Sequence, residues 1–219
     1  MNPVPLFLII VSLPLLLGGC GEKAKVEPNL TYEVKGDAVT ITGYSKMPVG
    51  ELIIPATIKG KPVTSIKGWA FVVCNNVTSI TIPDSVTSIG ERAFQECSNL
   101  TSVTIGNGLL SIEQSAFSYC HKLTSIIIPD SVTSIAEYAF DYCSGLARVT
   151  IGKNINNIKS SVFQRCNSLS TIIFQGDAPN AYGNFSSKND NLTIYRKPEA
   201  KGWGDTFAGR PVKLISEKP

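Results

Sequence analysis

The 219-residue chain is expected to fold as an α+β repeat: a solenoid of 23-residue coils with short strands, a β-hairpin cap at the N-terminal end and a second cap at the C-terminal end. Three observations predict it. Cysteines stand at 74, 97, 120, 143 and 166, each 23 residues after the last, in the frames FVVC, FQEC, FSYC, FDYC and FQRC. Apolar residues recur in the same phase. Blocks beginning at Val77, Leu100, Leu123, Leu146, Leu169 and Leu192 place Ile80, Val103, Ile126, Val149 and Ile172 in one column, and Ile89, Ile112, Ile135 and Ile158 in another. Finally, no block of this size can bury its own apolar side, so each must stack on the next.

Taken from the N-terminus, the first twenty residues carry no charge. Their apolar stretch from Val4 to Leu17 is too short to span a bilayer comfortably and is interrupted by Pro5 and Pro14. It ends in Leu17-Gly18-Gly19-Cys20, which resembles the lipobox of bacterial lipoproteins, although no Lys or Arg precedes the apolar run. That resemblance implies cleavage before Cys20, lipidation of its thiol, and an exported lipoprotein held at the bacterial outer membrane or cell surface. An ordinary signal peptide cleaved nearby is the other reading. Residues 1–20 are thus expected as a signal peptide, and 21–29, short, charged and aperiodic, as a tether.

Residues 30–51 hold the N-terminal β cap. Tyr32 and Val34, then Val39 and Ile41, alternate with polar residues around Lys35-Gly36-Asp37, a hairpin signal. The repeats fill 52–191. In LTSIIIPDSVTSIAEYAFDYCSG (123–145), Leu-x-x-Ile-x-Ile reads as a short strand with Thr and Ser facing outward. The following TSI reads as a second short extended segment. ERAFQEC puts Ala, Phe and Cys at i, i+1 and i+4, the spacing of one helical turn with a buried face. A degenerate first copy, 52–76, carries about five extra residues between Pro55 and Val63. Residues 192–219 form the C-terminal cap, with Trp203 and Phe207 expected in its core.

The LTSITIP-like, SVTSIG-like and AFxxC-like segments together resemble the BspA-like branch of the leucine-rich repeats, over about 52–191. The resemblance implies a leucine-rich-repeat solenoid and a surface protein engaged in adhesion and protein binding.

The cysteine column is expected to be core. Coils stacked at strand spacing of ~4.8 Å hold equivalent side chains parallel, whereas a disulfide needs converging Cβ vectors and zinc needs four converging ligands. Free cysteine is a small buried hydrophobe with a weak donor. No catalytic constellation emerges. The single histidine, His121, falls in a polar, variable column, and phosphate loops and metal-ligand spacings are absent. No catalytic residue, cofactor or metal is therefore expected, and a net charge of +3 is too mild to argue for nucleic acid.

Binding belongs in the outward columns. Tyr119, Tyr138 and Tyr142 are candidates for one aromatic patch, with aromatic shielding of the coil beneath as the alternative. The charge is also uneven: 9 Lys and Arg against 12 Asp and Glu over 21–145, but 11 against 5 over 146–219. Arg148, Lys159 and Arg165 head the basic half, either as an anion site or as solvated charge. The expected partners are a protein or glycan outside the cell and a membrane reached through the lipid anchor. The alternative functions are an envelope assembly protein that stacks with its own copies, and an anionic-glycan binder using the basic half.

Overall fold

The computed structural model describes residues 29–183, 185–186 and 191–217. The proposed signal peptide, Cys20 and nearly all of the tether lie outside the described residues. The chain begins with β1 (Leu30–Lys35), β2 (Ala38–Tyr44), β3 (Gly50–Ile53), β4 (Thr57–Ile58) and β5 (Lys61–Ile66). Strands then come in pairs, one pair per coil: β6 (Val77–Ile82) and β7 (Ser88–Ile89), β8 (Ser102–Ile105) and β9 (Ser111–Ile112), β10 (Ser125–Ile128) and β11 (Ser134–Ile135). The pattern continues with β12 (Arg148–Ile151) and β13 (Asn157–Ile158), then β14 (Thr171–Phe174) and β15 (Asn180–Ala181). It ends with β16 (Thr193–Arg196), β17 (Thr206–Phe207), β18 (Arg210–Leu214) and a 3-10 turn at Ile215–Glu217.

About seven coils stack into a solenoid with three sides. On the first side the longer strands pair in parallel, one coil apart: Ile80 faces Val103, Ile126 faces Val149, and Val149 faces Ile172. On the second side the short Ser-Ile strands do the same, Ile66 facing Ile89, then Ile112, Ile135, Ile158 and finally Ala181. Because side chains alternate across a strand, the column of Ile and Val points inward and is buried in every coil but that of β8, while Thr and Ser look out. The first side is interrupted between β8 and β10, which belong to separate sheets. There Val103 and Ile105 are only partly buried, and the outward Ile127 is 68% exposed.

The third side corrects the α+β expectation. Ala-Phe-x-x-Cys buries its apolar residues as predicted, but no α-helix forms there or elsewhere among the described residues. In a helix every N–H would turn back within its own coil. Here alternate N–H groups cross to the next coil: Trp69 donates to the Glu91 carbonyl, Phe71 to Ala93 and Val73 to Gln95, at 3.0, 2.8 and 2.9 Å. The residues between them, Ala70, Val72 and Cys74, donate three residues back. The alternation requires left-handed backbone twice per coil. Trp69, Arg92, Ser115, Tyr138 and Ser161 share one such column, with φ between 55 and 65°; Val73, Glu96, Tyr119, Tyr142 and Arg165 share the other, with φ between 57 and 62°. Beneath them Phe71, Phe94, Phe117, Phe140 and Phe163 stack nearly parallel at 5.2–5.6 Å. The five cysteines are free and buried, and four donate their thiol hydrogens to a carbonyl of the preceding coil.

A corner device unites successive coils. Asp84 and Asp130 each accept the backbone N–H of the residue one coil on, Asn107 and Lys153, at 2.6 and 2.9 Å. The approach is so close that a Cβ on Gly152 would lie 2.6 Å from the Asp130 backbone. Both ends carry antiparallel pairs. β1 pairs with β2, which joins β5 in parallel. The extra residues of the first coil form a tight β4–β5 hairpin, turned by Lys59 and Gly60 at φ 51° and 74°. The same device returns at β17–β18 with Ala208 and Gly209, so TIKGKPV (57–63) and TFAGRPV (206–212) are structural equivalents. The parallel ladder itself runs past residue 191 into β16 and β18. Trp203 and Phe207 pack on Phe174, with ring centroids at 4.9 and 5.8 Å.

Candidate functional site

The third side is where residue identity is least constrained by the fold. Its two left-handed columns project from a backbone fixed by inter-coil hydrogen bonds, so they present side chains at a constant pitch on a rigid support. Tyr119 and Tyr142 are neighbours in one column and their rings stack at 4.6 Å with 15° between planes. Arg165 continues that column, its guanidinium carbon 4.5 Å from the centroid of Tyr142. The result is a short pile of aromatic, aromatic and cation crossing three coils. Tyr138 belongs to the other column, is 37% exposed, and is not part of the pile.

Beneath Arg165 lies Asp141, only 6% exposed. Its Oδ2 is 3.4 Å from Arg165 Nη1, while its Oδ1 is buried without a hydrogen bond from the described residues. Burial pushes the carboxyl above its ordinary range, against the opposing pull of the Arg165 charge and the Tyr142 N–H. Asp141 therefore orients Arg165 over Tyr142 at a cost to the fold at neutral pH, a cost absent below the ordinary carboxylate range.

The basic candidates separate. Arg148 sits in the longer-strand ladder in register with Ser125 and Thr171. Lys159 follows β13 on the second side, its Nζ 4.4 Å from the Tyr182 centroid. Arg165 is on the third side. Three cations of one coil thus face three directions. Among the described residues no group of three or more His, Cys, Asp and Glu is placed to hold a metal ion. His121 lies edge-on to Tyr119 at 6.1 Å, with its Nδ1 3.4 Å from Ser144 Oγ.

Two features of the third side escape sequence reasoning. Arg92 lies 4.5 Å over Trp69, a second aromatic–arginine pair in the other column. Asp141, buried under the surface pile, gave no sign in its own column of Val72, Gln95, Ser118 and Gln164. The arginine pairs did leave a signal: each cation stands 23 residues after its aromatic partner, one coil on.

A family model described as the BspA type leucine rich repeat region matches residues 64–193 in six copies. Among solved structures, a leucine-rich repeat protein of T. pallidum is 24% identical with a TM-score of 0.64, covering 77% of this chain and 83% of its own. A leucine rich cell surface protein of Faecalibacterium prausnitzii is 29% identical with a TM-score of 0.60, over 68% of this chain. The pneumococcal vaccine antigen PcpA is 21% identical with a TM-score of 0.63, over 78% of this chain. The chain covers 38% of the Faecalibacterium protein and 49% of the pneumococcal one. No curated protein matches the chain.

Proposed function

Because the chain belongs to the BspA-type leucine-rich repeat family, we propose that it is a non-catalytic protein-binding module of the bacterial surface, working in adhesion. Residues 1–20 direct export, Cys20 carries the lipid anchor, 21–29 tether the solenoid, and 30–51 and 192–219 cap the repeats of 52–191. The hairpin and the Trp203–Phe207 segment do this by covering apolar coil ends that would otherwise be sticky edges.

One observation carries the reading. One left-handed column of the third side holds Tyr119, Tyr142 and Arg165 in a pre-ordered pile on a backbone tied to the next coil by hydrogen bonds. Tyrosine and arginine are the residue types that dominate protein interfaces, and pre-organisation lowers the entropy lost on docking. The surface resemblance of the Faecalibacterium relative supports the location. The separation of Arg148, Lys159 and Arg165 onto three sides favours a protein partner over an anionic glycan, which would need them together.

The test is capture of partner from intact cells by the purified chain. A Tyr142→Ala, Arg165→Ala pair, carrying Asp141→Asn so that no buried carboxylate is left without its partner, should reduce capture of the same protein about tenfold while leaving the fold intact. Equal capture by both forms, or concentration-dependent oligomers without any captured protein, contradicts the reading and favours the assembly alternative.

A further inference from the structure

The aromatic–arginine pairs of the third side expose a place where the pattern is incomplete. Arg92 covers Trp69 and Arg165 covers Tyr142, each at 4.5 Å. Tyr142 is covered on both faces, by Arg165 on one and by Tyr119 on the other. Tyr119 is stacked only on its Tyr142 side. Glu96 precedes it by one coil in the same column, and an open cleft of about 370 Å3 is lined by Asn75, Glu96, Ser98, Tyr119 and His121, the last meeting the Tyr119 ring edge-on at 6.1 Å.

The chemistry of that cleft is specific. A ring face attracts a cation through its quadrupole. Glu96 stands one coil before Tyr119, exposed, and makes no ion pair among the described residues. The cleft is also tied in place. Asn75 Oδ1 accepts from the Ser98 N–H at 3.1 Å and from Ser98 Oγ at 2.7 Å, and Asn75 O accepts from Asn99 Nδ2 at 2.7 Å. An aromatic ring and a carboxylate in one lining offer an arginine the same two groups that Tyr142 and Asp141 offer Arg165, the carboxylate here being exposed and one coil before its ring.

We propose that this cleft is a subsite for an arginine side chain of the protein partner, its guanidinium lying on Tyr119 and forked onto the Glu96 carboxylate. Arginine fits better than lysine because its planar, weakly hydrated cation stacks on a ring and pairs with a carboxylate at once. Both cations in the molecule's own third-side pairs are arginines. The inference deepens the protein-binding reading and rests on it.

The experiment is a titration of the isotopically labelled full chain with N-acetyl-arginine amide, followed by the backbone amide signals of Glu96, Ser98 and Tyr119. The neutral isostere N-acetyl-citrulline amide and N-acetyl-lysine amide serve as comparisons. Saturable shifts at those three residues and none at Thr104 or Thr150 on the strand side are expected with arginine. Citrulline should give no saturation, and lysine should bind more weakly. Glu96→Gln should weaken arginine binding about fivefold or more, and Tyr119→Ala should abolish it. Because Tyr119→Ala also removes a stacking partner, Glu96→Gln is the decisive variant; it changes an exposed side chain. No saturable shift at the cleft, equal binding of citrulline or lysine, or unchanged affinity in Glu96→Gln overturns the proposal. Partner capture that survives such a failure leaves the binding module standing with its contact elsewhere, so the two readings fail separately.

Discussion

Each cysteine from Cys97 to Cys166 sits where its thiol can donate to a phenylalanine carbonyl 26 residues back, at 3.1–3.4 Å. Burial pushes the Cys97 thiol up to about 12, and burial together with neighbouring thiols pushes Cys143 and Cys166 well up too. The native chain therefore keeps these protons at pH values where unfolded thiols have lost them. Stability is fully present below the ordinary thiol range and declines as pH rises above about 8.5. Each such thiol removes about 1.4 kcal/mol per pH unit once its unfolded form is ionised. Urea unfolding should show a midpoint falling from pH 8 to pH 10, and the fall should be shallower in a Cys97→Ala, Cys143→Ala variant. A midpoint independent of pH in both proteins would contradict the buried thiol column. At this scale the sequence was legible: the period fixed the column as parallel and inward, and geometry then argued against bridges. Asp141 was not legible, because a single acid in a variable column looks the same whether it meets water or lies under an arginine.

The turn segment of each coil illustrates where element-level reading reached its limit. Apolar residues at i, i+1 and i+4 suit a helical turn, and they suit equally a zigzag whose alternate N–H groups leave the coil. The left-handed positions of such a zigzag usually announce themselves by glycine or asparagine. Here they are occupied by Trp, Val, Arg, Glu, Tyr and Ser, so the backbone signal was missing. The sequence does place these residues in two variable columns, and the fold explains why: most of them point outward, Ser115 being the buried exception. Val73 is the most strained of them, a β-branched residue at φ 58° and 43% exposed. Val73→Asn should stabilise the chain by about 1 kcal/mol, since asparagine tolerates this region and little burial is lost. Val72→Asn, one residue away, should bring no gain. Thermal unfolding of the two variants checks this, and equal effects would contradict the left-handed assignment. The hairpins were half legible. The β1–β2 hairpin was read at Lys35-Gly36-Asp37, but the β4–β5 hairpin appeared only as surplus residues after Pro55, and the kinship of GKPV with GRPV went unseen because the two copies stand 149 residues apart.

As a whole molecule the solenoid separates tasks by side. The strand ladders are covered mostly by Thr and Ser, with Arg148 and Ile127 among the exceptions, whereas the third side carries the Tyr119–Tyr142–Arg165 pile and the Trp69–Arg92 pair. The period made the stacking and the inward columns readable, because every coil repeats one packing problem. The distribution of charge around the coil was not read, because the three cations were grouped by their shared block rather than by the segment of the coil each occupies. Arg148, Lys159 and Arg165 accordingly looked like one basic end and turn out to face three ways. At the N-terminus, Cys20→Ala should abolish incorporation of labelled fatty acid and release the protein from membranes; labelling that persists would contradict the proposed anchor. The central claim is that the third side meets a protein partner. It is tested most directly by placing a photo-crosslinking residue in turn at position 138 on the third side and at positions 104 and 150 on the strand side, in cells carrying the full chain. The account predicts a discrete crosslinked protein from position 138 and none from 104 or 150. Crosslinking from the strand side alone, or with equal yield from both sides, would contradict it.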